Sequence, residues 1–240
     1  MISNKRTRVY INSALILGLI SIVLFIVGTV TTMLLIENQS IFRDLFSNLT
    51  GSWDHITHNF IRDVISVTGH DNPYDWLFNS TLIISGILMV PCFPAVYYII
   101  KEFENPKPRL LKVLTIIGAL IGPFITLAGI FNEGNHFVLH IIFAVGAYGF
   151  VIFTAFLWGI YVWKLDSDHP YKSFKIWWLD ISVNFIIIAC LIAYSIAMLF
   201  FDQIIWNNLG ILEKVTIYAF FVFFITIIIR LILIVNKNNH

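Results

Sequence analysis

The chain has 240 residues, of which 58% are hydrophobic and only 12% charged, about half the roughly 25% charged content of a soluble domain. That composition excludes a simple water-soluble globule. A net charge of +1 without a basic block gives no electrostatic basis for a nucleic-acid partner.

A helix crossing a hydrocarbon core of roughly 30 Å needs about 20 apolar residues, and six stretches meet that length. They run at about 9–36, 77–100, 110–131, 137–162, 176–201 and 215–235. The expected fold is therefore all-α: a six-helix transmembrane bundle forming a single polytopic domain over residues 1–240. The first stretch far exceeds the h-region of a signal peptide, and no small-residue cleavage site follows it. It is expected to remain as a span.

Lysine and arginine accumulate in cytoplasmic segments. Twelve of the 15 basic residues fall at the N-terminus (Lys5, Arg6, Arg8), the second loop (Lys101, Lys107, Arg109, Lys112), the fourth loop (Lys164, Lys172, Lys175) and the C-terminal end (Arg230, Lys237). Only Arg43, Arg62 and Lys214 lie on the other side. Both termini are thus expected in the cytoplasm of a multi-pass cell-membrane protein. Trp76, Trp163, Trp177, Trp178 and Trp206 fall at span ends, the headgroup level favoured by aromatic belts.

The external segment 37–75 is too long for a mere connector. Within it Trp53, Ile56, Phe60, Ile61, Val64 and Ile65 recur at helical spacing opposite Asp54, His55, His58, Asn59 and Arg62, which predicts an amphipathic helix capping the outer mouth. A shorter pattern, Ile41, Phe42, Leu45, Phe46 and Leu49, predicts a second helix before Gly51. Asn38-Gln39-Ser40 and Asn48-Leu49-Thr50 match the glycosylation acceptor pattern.

Small residues allow close helix approach in lipid. Gly118, Gly122 and Thr126 line one face of the third span, with Ala144, Ala147, Ala155 and Gly159 of the fourth as the expected partners across a short turn. Pro91, Pro94 and Pro123 are expected to kink or open their helices. Cys92 and Cys190 lie in apolar runs without a C-x-x-C or zinc spacing and read as small buried hydrophobes.

Polar residues at membrane depth are costly unless they face the interior and find partners. On the inner side Asp180 and Arg230 lie at similar depth on consecutive spans, which predicts a structural ion pair. On the outer side Glu133, His136 and His140 follow E-x-x-H-x-x-x-H spacing and share one face if the fourth helix starts early. Asn79, Asp71, Asp75 and His70, with His55 and His58 of the cap, complete a polar layer. Imidazoles and carboxylates are both metal ligands and proton-transfer groups, so Glu133, His136 and His140 are metal candidates. Histidines at i, i+4 without H-E-x-x-H also arise in ordinary bundle hydrogen bonding, so a structural polar cluster or ligand pocket is favoured. No cofactor is predicted, zinc being the open alternative. No nucleophile elbow, P-loop or dinucleotide fingerprint is present.

Asn72-Pro73, Asp75-Trp76-Leu77-Phe78-Asn79 leading into Ile84-Ser85-Gly86, and Gly129-Ile130-Phe131 followed by Leu139-His140 resemble a prokaryotic membrane family known as domain-of-unknown-function family 998. More distantly the chain is similar to the DRAM and Sfk type of six-helix protein, some of them associated with lipid handling. The family resemblance covers about 73–163, and the remainder more loosely. It implies about six spans and a Gly-x-Phe-Pro turn before a histidine opening the fourth, with Asn132 here in place of the proline. It implies no activity; it points to Asn79, Glu133 and His140.

The favoured function is therefore a membrane protein that binds a small molecule or lipid headgroup in an outward-facing polar cavity beneath the cap. A metal-dependent lipid hydrolase or transferase is the alternative, and a transporter the second alternative. Membrane lipids are the expected partners, and oligomeric state stays open because Gly118-x-x-x-Gly122 serves packing within or between chains.

Overall fold

A computed structural model describes residues 5–50, 74–103, 108–164, 181–182, 185–186, 188–189 and 203–237. Among the described residues the chain is entirely helical, without strands. Its elements are α1 (Lys5–Thr50), α2 (Asp75–Met89), α3 (Cys92–Phe103), α4 (Pro108–Ile130), α5 (Glu133–Trp163) and α6 (Gln203–Lys237). Five stretches are long and apolar enough to cross a membrane: Arg6–Leu35, Asp75–Lys101, Arg109–Ile130, His136–Trp163 and Ile217–Asn236. They match five of the six expected spans. The stretch expected at 176–201 lies largely outside the described residues, as do the cap helix at Trp53–Val67 and Cys190.

Helix α1 departs from the expected boundary. Rather than ending near Ile36 and restarting as a short second helix, it is one 46-residue element through Thr50. Glu37-Asn38-Gln39-Ser40 contains no glycine or proline, so nothing in this polar junction interrupts the backbone ladder. The helix runs as far as the residue before Gly51.

The expected opening at Pro91 is present. Pro91 has no N–H for the Ile87 carbonyl, and the Val90 N–H donates there instead at 3.3 Å. One apolar crossing is thereby divided into α2 and α3. Pro94 sits in the first turn of α3, where a missing donor costs no intrahelical bond, and Pro123 is carried within a continuous α4.

Packing is organised around α4, which lies against α2 and α5 most extensively, while α1 packs on α2, α3 and α6. The small-residue face of α4 forms as expected, but its partner is different. A Cβ on Gly86 would lie 2.5 Å from the Gly122 carbonyl oxygen and 2.7 Å from the Thr126 nitrogen, and one on Gly122 would lie 2.5 Å from the Gly86 carbonyl oxygen. The backbones of α2 and α4 therefore touch, with the Phe93 ring of α3 over Gly118. The alanines and Gly159 of α5 do not fill this role. Against α5, helix α4 presents aromatic rings: Phe124 covers Gly146 and stands edge-on to Phe150 at 4.8 Å, while Phe131 stacks on Phe143 at 5.5 Å. Bulk on α4 meets a glycine on α5, and glycine on α4 meets glycine on α2.

Rings also tie α6 to the bundle. Phe25 of α1 meets Phe221 at 4.8 Å, and Phe93 of α3 stacks on Phe224 at 5.0 Å. Five threonine hydroxyls find acceptors within their own helices. Thr29, Thr32, Thr81, Thr115 and Thr126 each donate to the carbonyl four residues earlier, at 2.7–3.0 Å. Ser21 instead donates across to the Ser85 carbonyl at 2.7 Å, joining α1 to α2. Cys92 is buried as expected, against Gly18. Arg230 is also buried, at 2% exposure; its expected partner Asp180 lies outside the described residues. Trp76 and Trp163, at 63% and 72% exposure, occupy opposite ends of the bundle.

The α2–α4 contact yields a test with an internal control. Gly122→Ala drives a methyl group into backbone and lowers stability by about 1–3 kcal/mol through overpacking. Gly149 on α5 has open space where its Cβ would be, so Gly149→Ala leaves stability unchanged or raises it by about 0.5–1 kcal/mol. Thermal unfolding of both variants in detergent measures the contrast.

Candidate functional site

At the end of the bundle formed by the start of α2, the α4–α5 turn and the first part of the α6 apolar stretch, five helices line an open-sided cavity of about 100 Å³. Its wall includes Phe25 of α1, Phe78 of α2, Ala128 of α4, His140 and Tyr148 of α5 and Phe221 of α6. Alanines at 128, 144 and 147 hold the volume open where longer side chains would close it. Apart from His140 and Tyr148 the described lining is carbon. This cavity is apolar with an imidazole in its wall; the cap residues of the polar cavity expected from the sequence lie outside the described residues.

His140 is set by the end of α4. A helix leaves its last carbonyls without intrahelical donors. The ring Nδ1 lies 3.0 Å from the Ala128 carbonyl oxygen and 3.1 Å from that of Phe131. Facing two acceptors, Nδ1 carries a proton and donates to both. The ring is 4% exposed. Its other nitrogen, Nε2, is buried with no hydrogen-bond partner among the described residues.

The turn itself explains why His140 stands apart from its expected neighbours. The His136 N–H donates to the Asn132 carbonyl at 3.0 Å, but His136 leaves helical geometry at φ −142° and ψ 52°. This break interrupts, between Glu133 and His140, the continuous helix on which their expected shared face depends. His136 is exposed and lies edge-on to the Phe131 ring at 5.6 Å, whereas His140, one turn on, is buried. Nothing is described of the Glu133 side chain.

Asn79 is buried in α2, its backbone carbonyl 2.8 Å from where a Cβ on Gly129 would lie. It does not line the cavity, nor does Asp75, half-buried at the start of α2. His55, His58, His70 and Asp71 lie outside the described residues. Among the described residues no group of three or more His, Cys, Asp and Glu is placed to hold a metal ion. Sequence reasoning therefore reached His140 but not the rings and alanines around it. Their only signal was the run of small residues on α5, which was read as a backbone-packing face.

A family model described as a protein of unknown function, DUF998, matches residues 19–230. The chain belongs to the DUF998 family. The match runs from α1 to Arg230 in α6 and takes in every helix that lines the cavity of this DUF998 protein. No curated protein and no solved structure matches the chain. The family and the apolar helices together make it a multi-pass membrane protein.

If the Nδ1 contacts hold the α4–α5 turn, then removing the donor leaves two carbonyls short. His140→Phe costs about 1–3 kcal/mol, the penalty for stranding buried acceptors. His140→Asn, whose amide N–H₂ takes the Nδ1 place, recovers most of that loss. Unfolding temperatures of the two variants separate the hydrogen bonds from ring packing.

Proposed function

We propose that this DUF998 protein binds a small, largely apolar molecule, or part of a lipid, in the cavity between α1, α2, α4, α5 and α6, at the external end of a six-span bundle. The observation that carries this reading is the cavity's wall. It has room for more than one water at about 100 Å³, yet it is lined by carbon with a buried imidazole. A buried water typically makes about three hydrogen bonds, which such a wall does not supply. A charged headgroup fits no better, because no lysine or arginine among the described residues lines it. An occupant that brings its own carbon surface recovers the contacts that an empty cavity forfeits.

The external assignment rests on the charge distribution. Twelve of the 15 basic residues fall at loops and termini on the opposite side, which the positive-inside rule puts in the cytoplasm. In this arrangement both termini are cytoplasmic.

Two experiments test the reading. A fluorescent reporter fused after His240 glows in a bacterial host, and alkaline phosphatase fused there is inactive; the reverse pattern inverts the topology. Native mass spectrometry of protein released from membranes retains a bound small molecule or lipid. Ala147→Leu, two helical turns beyond His140 on α5, fills the cavity and abolishes that retention. Equal retention by the filled variant would place the occupant elsewhere and overturn the proposal.

A further inference from the structure

We propose that the basic end of the bundle holds an anionic phospholipid against the exposed surface of α3 and α4, with its phosphate among Lys101, Arg109 and Lys112 and its acyl chains along Val113 and Ile116. This site lies at the opposite end of the bundle from the cavity and does not depend on what the cavity binds.

Helix contacts set the depth of the three basic side chains. The Phe93 ring of α3 covers Gly118 of α4, so these two residues share a level. From that level Lys101 lies about 12 Å along α3, and Arg109 lies about 14 Å along α4 in the same direction, at 1.5 Å per residue. The end of α3 and the start of α4 thus bring both charges to one depth. Half-exposed tyrosines mark that depth as the headgroup zone, where aromatic rings collect. Tyr98 is less than a turn from Lys101. Tyr10 of α1 reaches the same level, about 12 Å from Gly18, which lies against Cys92 at the start of α3.

The face of α4 decides which anion fits. Arg109, Lys112, Val113 and Ile116 stand at i, i+3, i+4 and i+7 and share one side of the helix. All four are exposed, Ile116 at 62%. Lys101 is exposed as well, its ammonium 5.9 Å from the Tyr97 ring centre. Residues 101–112 carry four basic side chains against Glu102 and Glu104, so the cluster is positive. Charge gives way to carbon within about a turn along α4, as phosphate gives way to acyl chain along a phospholipid. Free phosphate would leave Val113 and Ile116 uncovered. A zwitterionic phospholipid brings a cation of its own to a positive cluster. A phospholipid of net negative charge matches both parts of the face, and each basic side chain at this level favours it by roughly fivefold.

Quenching by brominated lipids reads the occupant directly. Full-length protein with Ile116→Cys and Cys190→Ser, coupled to bimane at position 116, is placed in dioleoylphosphatidylcholine vesicles; Cys92 is buried. The probes are phosphatidylglycerol, phosphatidylcholine and phosphatidylethanolamine with dibrominated chains. A second label site, Phe137→Cys, is exposed at the other end of the bundle. Phosphatidylglycerol is expected to associate at position 116 at least about fivefold more strongly than either zwitterionic lipid, with no preference at position 137. Arg109→Gln with Lys112→Gln brings the preference at 116 close to unity. Arg109→Lys with Lys112→Arg, which keeps both charges, retains it.

Equal association of phosphatidylglycerol and phosphatidylcholine at 116, or the same preference at 137, overturns the site and leaves these residues a topology signal alone. A preference untouched by the double glutamine variant overturns their role. Loss of the preference in sodium phosphate but not in sodium chloride of equal ionic strength makes free phosphate the ligand and overturns the lipid. Ala147→Leu, which fills the cavity, leaves the preference intact, so failure here and failure of cavity binding are separate results. The comparison of lipids and label sites needs no charge variant to fold.

Discussion

The fold depends on how closely the backbones of α2 and α4 approach. In lipid there is little hydrophobic gain from pressing one apolar helix on another, so dispersion contact and backbone proximity set the geometry. Gly86 and Gly122 remove the side chains that would hold these helices apart, and each places its backbone where the other's Cβ would stand. Once that crossing is fixed, Gly118 accepts the Phe93 ring and Gly129 accepts the Asn79 and Leu82 region. The contact therefore extends along most of α4. Helices α1 and α5 then pack on opposite partners of the pair, and α6 closes on α1 and α3 through phenylalanine rings.

The same close approach leaves the cavity. Where glycine faces glycine, no space remains; towards the α4–α5 turn the facing residues become alanines and phenylalanines, whose shapes do not interlock. Ala128, Ala144 and Ala147 are too short to reach the rings of Phe25, Phe78 and Phe221 across the gap. His140 enters this gap for a separate reason, since the carbonyls at the end of α4 need a donor. A residue used to satisfy a helix terminus thus places an imidazole in an apolar wall.

Five of the six expected spans are legible because hydropathy is a property of composition along the chain, and neither register nor neighbours alter it. Pro91 was legible as a break for the same local reason: it lacks one donor wherever it sits. The continuation of α1 through Ser40 was missed because a polar junction was read as the membrane boundary and, with it, as the end of the helix. Those are different boundaries, set by different forces. Water and lipid decide the first; only glycine, proline or competing side chains decide the second.

The site was less legible, and the reason is the His136 break. Sequence spacing assigns residues to a shared face only while the helix is continuous, and two non-helical dihedrals at His136 break that continuity between Glu133 and His140. Depth alone then grouped Asn79, Asp75, His136 and His140 as one polar layer, although packing sends them to different surroundings. Small residues posed the matching ambiguity. Gly118 and Gly122 mark a face that admits a close neighbour, but α2 or α5 would serve equally until shape decides. The bulk of Phe124 opposite Gly146 settles α5 on the other side of α4, and the alanines of α5, freed from backbone packing, are left to face an open space. What reads in sequence as a helix–helix seam becomes, once the neighbours are fixed, the wall of a pocket.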